Sequence, residues 1–96
     1  MYILVTYDVA TADPAGAKRL RKVARICLNY GLRVQNSVFE CLVDPAQFVT
    51  LQALLQEVID PEQDSVRLYA LGKNYRRQII TLGRTTSFNV EDELIV

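Results

Sequence analysis

Histidine is absent from this chain, so any catalysis must proceed without an imidazole acid or base. Cysteine is scarce. Cys27 and Cys41 stand fourteen positions apart with no third cysteine nearby, a spacing that excludes the usual zinc motifs. Cys27 falls on the apolar face of a predicted helix and Cys41 in a predicted strand, so both are expected to be small core residues. A disulfide is not expected in a reducing compartment. No apolar run approaches the roughly 18–20 residues of a membrane span. The N-terminus lacks the basic start and small-residue cleavage site of a secretory signal, which makes the cytoplasm the expected address. No repeat, linker or low-complexity stretch divides the 96 residues. A single domain is expected, small enough that pairing with a second copy would help its limited core.

The first positive signal is the opening run Met1-Tyr2-Ile3-Leu4-Val5-Thr6-Tyr7-Asp8. Its β-branched and aromatic residues predict a buried strand. Asp8 ends that strand and is the one acid among the first twelve residues, so rigid backbone holds a carboxylate beside the core, where chemistry is often placed. The plain alternative is an acid that turns or caps the next loop. A lone carboxylate makes a poor metal site, but magnesium keeps several waters and needs only one or two carboxylates plus substrate phosphates. A symmetric dimer that juxtaposes two copies of Asp8 would meet that need and permit hydrolytic metal chemistry without histidine.

Net charge is zero, but the charges are segregated. Lys18, Arg19, Arg21, Lys22, Arg25 and Arg33 occupy a stretch without acids, from Pro14 to Phe39. Glu40 to Val66 carries acids without bases, and Arg67 to Val90 carries bases again, before Glu91-Asp92-Glu93. Surfaces of opposite sign follow, one of them suited to a polyanion. The alternative is a set of ordinary solvated helix faces. Lys73-Asn74-Tyr75-Arg76-Arg77 forms a second basic patch, whose aromatic permits base stacking beside backbone contacts.

Asp13-Pro14 predicts a helix start, and Leu20, Val23, Ala24 and Cys27 continue it at helical spacing to Asn29-Tyr30-Gly31, with Gly31 in the left-handed stop position. Arg33 to Val43 reads as either one bulged strand or two short strands meeting near Asn36-Ser37. Asp44-Pro45-Ala46-Gln47 predicts a capped second helix with Phe48, Leu51, Leu54, Leu55 and Val58 as its apolar stripe, ended by Asp60-Pro61. Asp64 to Leu71 and Gln78 to Gly83 read as further strands. Leu94-Ile95-Val96 would need covering, with a sheet edge of a second subunit as the natural place. This order predicts an α+β, ferredoxin-like split βαβ sandwich, a fold that by itself decides no function.

The run Tyr7-Asp8-Val9, the helix bases Arg19 and Lys22, and Gly31-x-Arg33-x-Gln35-x-Ser37-Val38-Phe39-Glu40 resemble the CRISPR-associated protein two family, small partners of the CRISPR integrase in spacer acquisition. The Asp44-Pro45-Ala46-Gln47 and Leu71-Gly72-Lys73-Asn74-Tyr75-Arg76-Arg77 segments look like its type I-C branch. The resemblance implies a homodimer in which a C-terminal segment, about residues 90–96, joins the partner's sheet. It also implies Mg2+ shared between the two Asp8 carboxylates, and endonuclease activity on RNA or double-stranded DNA. By the same resemblance Arg19, Arg33 and Ser37 stand on the substrate side. Tyr7 is a further candidate there, the basic patches offer Lys18, Arg21, Lys22, Arg25, Lys73, Arg76 and Arg77 as backbone contacts, and Phe39 is expected to pack. The alternative within the same family is a scaffold that bridges integrase subunits and holds DNA without needing Asp8.

Overall fold

A computed structural model describes residues 1–83. The opening run forms β1 (Tyr2–Asp8), and the helix predicted after Asp13 forms α1 (Pro14–Leu28). The bulged stretch resolves into two strands, β2 (Gly31–Gln35) and β3 (Val38–Leu42). They are followed by α2 (Pro45–Val58), β4 (Ser65–Leu71) and a single turn of helix, α3 (Tyr75–Gln78). The strands make one antiparallel sheet in the order β2-β3-β1-β4, the ferredoxin-like arrangement. Among the described residues no helix is long and apolar enough to cross a membrane.

The helix starts use the chemistry expected of them. Asp13 accepts from the Gly16 amide at 2.8 Å, and Asp44 and Gln47 close a reciprocal capping box at 2.7 and 2.9 Å, satisfying amides that the first turn leaves unpaired. Ile3, Val5, Tyr7 and Val9 meet Phe39, Cys41 and Val43 on one face of the sheet, where Val23, Ala24 and Cys27 of α1 and Leu51 and Leu55 of α2 complete the core. Of the predicted stripe on α2, Leu54 lies outside this core and is exposed.

Two further expectations are corrected. Gly31 does not adopt left-handed backbone. Its glycine is required by contact instead, since a Cβ there would lie 2.0 Å from the Glu40 carbonyl oxygen of the neighbouring strand. The helix stops two residues earlier, where the Asn29 amide bonds back to the final turn of α1. Residues 78–83 do not form the expected strand. Gln78 closes α3, and Ile80 and Leu82 stand 82% and 87% exposed. An alternating sequence becomes a strand only where another strand offers a hydrogen-bond ladder, and the described fold of one chain gives this segment none. The segment at 90–96, expected to pair with a partner, lies outside the described residues.

The opposite face of the sheet is only partly covered. Tyr75 of α3 stacks on Tyr2 with ring centroids 4.0 Å apart, and Leu32, Leu42, Leu71 and Ile79 gather around the pair. Beyond that cluster, Leu4, Thr6 and Asp8 of β1 alternate onto the same face, opposite Tyr69, Arg67 and Ser65 of β4.

Candidate functional site

β1 lies between β3 and β4, so its C-terminal end is held from both sides. Asp8 is directly opposite Ser65 in the β1–β4 ladder, and the preceding Tyr7 amide donates to the Ser37 carbonyl at 3.1 Å. The Asp8 side chain is exposed and projects from the incompletely covered face. Among the described residues, no three acidic, cysteine or histidine side chains gather as a metal-binding group. Among the described residues, Asp8 therefore stands at its strand end outside any such group of three.

On the helix side of the same sheet end, Tyr7 is buried beside Phe39, with ring centroids 6.0 Å apart. Its hydroxyl donates to the Asn36 carbonyl at 3.3 Å. Burial pushes the Tyr7 phenol pKa up, an effect partly offset by the nearby Arg33 guanidinium. Arg33 itself lies 5.2 Å from the Phe39 ring centroid in a cation–π arrangement, while remaining exposed. The structure thus gathers Asp8, Tyr7, Arg33 and Ser37 at one end of the sheet. Tyr7 and Phe39 serve there as packing. Arg33 presents charge.

The bases of α1 divide into two groups. Lys18, Arg21, Lys22 and Arg25 are exposed. Arg19 is committed inward: its Nε donates to Asp64 Oδ2 at 2.7 Å and its Nη2 to Asp64 Oδ1 at 3.3 Å. Asp64, whose side chain is 0% exposed, went unrecognised in the sequence because it read simply as the start of β4. Its location between the Asp60-Pro61 helix stop and a half-buried strand was the available signal. Hydrogen bonds from Arg19, above all, and from two backbone amides hold the Asp64 carboxyl down to about 2.

The second basic patch is at the other end of the sheet, because Leu71 pairs with Tyr2. Lys73, Arg76 and Arg77 are exposed there. Tyr75 is buried against Tyr2, so the aromatic within this patch packs and is not offered to a base. The two cysteines are free and buried, as expected.

Comparison with known proteins supplies the decisive observation. The family model described as CRISPR associated protein Cas2 matches residues 1–79. This chain belongs to the Cas2 family. It is 53% identical, over 99% of both chains, to the CRISPR-associated endonuclease Cas2 of Halalkalibacterium halodurans. It is 51% identical, over 98% of this chain and 99% of the relative, to a CRISPR-associated endoribonuclease Cas2 of Rhodospirillum rubrum. The crystal structure of Streptococcus pyogenes Cas2 at pH 6.5 superimposes with a TM-score of 0.80 at 59% identity, covering 86% of this chain and all of that one. The Cas2 fold is therefore the fold of this protein.

Proposed function

We propose that this protein is a CRISPR-associated, metal-dependent endonuclease acting on RNA or double-stranded DNA, built as a homodimer around two copies of Asp8. The observation that carries this reading is the exposed Asp8 carboxylate at the end of a central strand, on a sheet face that α3 covers only at its far end. A second copy docking on that face would cover Leu4 and Tyr69 and bring a second Asp8 beside the first. The endonuclease and endoribonuclease names of the relatives support the activity.

The donor set suits magnesium, a hard cation content with one or two carboxylates and retained water. The two Asp8 side chains would hold it. Bound there, it would supply Lewis acidity toward a phosphodiester. Asp8 contributes a fixed oxygen ligand, Arg33 a positive charge at the same end of the sheet, and Ser37 the turn beside them. Lys18, Arg21, Lys22 and Arg25, joined by Lys73, Arg76 and Arg77, contact phosphates without reading sequence. Arg19 and Tyr7 are left out of this contact surface because their polar groups are engaged within the fold. In the cytoplasm the dimer joins the CRISPR integrase during spacer acquisition.

The deciding experiment compares wild type with Asp8→Ala on single-stranded RNA and duplex DNA, with magnesium and with chelator. Cleavage is expected to fall at least about a hundredfold in the variant. Undiminished cleavage by Asp8→Ala would overturn the reading. A second reading, a non-catalytic scaffold, is favoured by the exposed bases of α1, which are presented independently of Asp8. Spacer acquisition that survives Asp8→Ala would select it.

A further inference from the structure

The buried carboxylate of Asp64 takes no part in the surface described above, yet it is densely coordinated. It accepts four hydrogen bonds from three segments. Two come from Arg19 on α1, one from the Asp60 amide at 2.9 Å in the α2–β4 connection, and one from the Ala10 amide at 3.0 Å. Ala10 follows Asp8 by two residues, in the loop that leaves β1. Asp64 also precedes Ser65, the residue paired with Asp8 across the ladder. The same carboxylate therefore grips the backbone just beyond Asp8 and adjoins the residue directly opposite it.

Contact from the other side completes the grip. A Cβ on Gly16 would lie 1.7 Å from the Ala10 carbonyl oxygen, so α1 presses directly on the loop whose amide Asp64 holds. The Ala10 N–H is held by a buried charge, and the Ala10 C=O is packed closely against the helix at Gly16. A surface loop needs neither constraint. The Arg19 fork, in turn, neutralises the buried carboxylate and ties it to α1, which keeps a desolvated charge tolerable.

We infer that Asp64, anchored by Arg19, is a positioning residue for Asp8, fixing the strand end so that the exposed carboxylate meets a divalent cation in a set geometry. The inference rests on the reading of Asp8 as a metal ligand. It also gives Arg19 a role away from the substrate. Residues that orient a metal ligand without touching the metal typically change metal affinity about 10–100-fold when altered, whereas a residue that only stabilises the fold leaves the affinity of the folded protein unchanged.

The test is Mn2+ binding to the full-length protein, followed by electron paramagnetic resonance, in wild type, Asp8→Asn, Asp64→Asn and Arg19→Lys. Asp44→Ala serves as a control that weakens the remote α2 cap. Circular dichroism sets the temperature so that every variant is folded. In Asp64→Asn the charge is lost and one of the two oxygens, each of which accepts from Arg19 and from a backbone amide, becomes an amide nitrogen that cannot accept. Its Mn2+ dissociation constant should rise about tenfold, Arg19→Lys should shift it in the same direction, and Asp44→Ala should leave it at the wild-type value. Adding Asp64→Asn to Asp8→Asn should change nothing further. Should Asp64→Asn not fold, Arg19→Lys decides the comparison. Wild-type affinity in these variants, beside a wild type that binds Mn2+ through Asp8, overturns the inference alone. Mn2+ binding that is absent from wild type or indifferent to Asp8→Asn overturns the metal-ligand reading, and the inference with it.

Discussion

Asp64 and the two cysteines show what burial does to single residues. The Asp64 carboxyl is held down to about 2 from an ordinary value of 3.8 by its Arg19 partner and backbone amides. A depressed carboxylate adds stability that is present in full above the unfolded-state value and is lost as pH falls through the folded-state one. Acid titration of wild type should therefore show stability falling between about pH 4 and pH 2. Asp64→Asn should be less stable at neutral pH and show a shallower loss over that window. Equal slopes in urea-melt stability against pH would remove Asp64 from the account. Burial has the reverse sign for thiols. It pushes Cys27 and Cys41 up to about 12, so the reactive thiolate is scarce near neutral pH. Neither should react with a disulfide reagent in the native protein at pH 8, and both should react in denaturant. Rapid native labelling would contradict their placement in the core.

Among the elements, the start of α1 is more constrained than its sequence suggests. Gly16 sits in the first turn of the helix, where glycine is a poorer helix former than alanine, yet a methyl group there would meet the Ala10 carbonyl. Gly16→Ala should destabilise the protein by about 1–3 kcal/mol or more, as overpacking does. Gly72→Ala, with open space around the position, should stay within about 0.5 kcal/mol. Urea denaturation of the two variants checks the contrast. The cap of α2 is a simpler case, because Asp44 and Gln47 satisfy each other's backbone amides at the surface. Asp44→Ala should cost about 1 kcal/mol, which suits it as a stability control.

For the whole molecule, the separation of charge and apolar surface sets the expectations. Under the proposed function the exposed bases of α1 contact phosphates, and their loss should show in salt dependence, since each contact contributes a slope of about 0.9 in log affinity against log salt. Replacing Lys18, Arg21 and Arg25 with glutamate should weaken duplex binding and flatten that slope by about 2–3. Unchanged binding would remove α1 from the interface. The uncovered sheet face carries Leu4 opposite Tyr69, which is 42% exposed. Tyr69→Lys should shift sedimentation toward monomer if two copies meet on that face. A variant that sediments as wild type would exclude that face.

The amino-acid sequence by itself determined β1, α1, α2 and β4 and their order. Strand periodicity, the Asp13-Pro14 and Asp44-Pro45 starts, and the apolar stripe of α1 are local signals, and local backbone and burial preferences act on them directly. It also singled out Asp8, because an acid ending a strongly apolar strand stands out within eight residues. Only the tertiary structure decided which charges face water. Arg19 and Lys18 are neighbours in the same basic run, but Arg19 meets Asp64, forty-five residues away, a pairing that no periodicity encodes. Gly31 likewise owes its glycine to Glu40 across a strand pair, and the alternation at residues 78–83 became no strand for want of a ladder partner. Elements follow from neighbours in the chain, whereas the fate of a charge, a glycine or a sheet edge depends on what distant segments bring within a few ångströms.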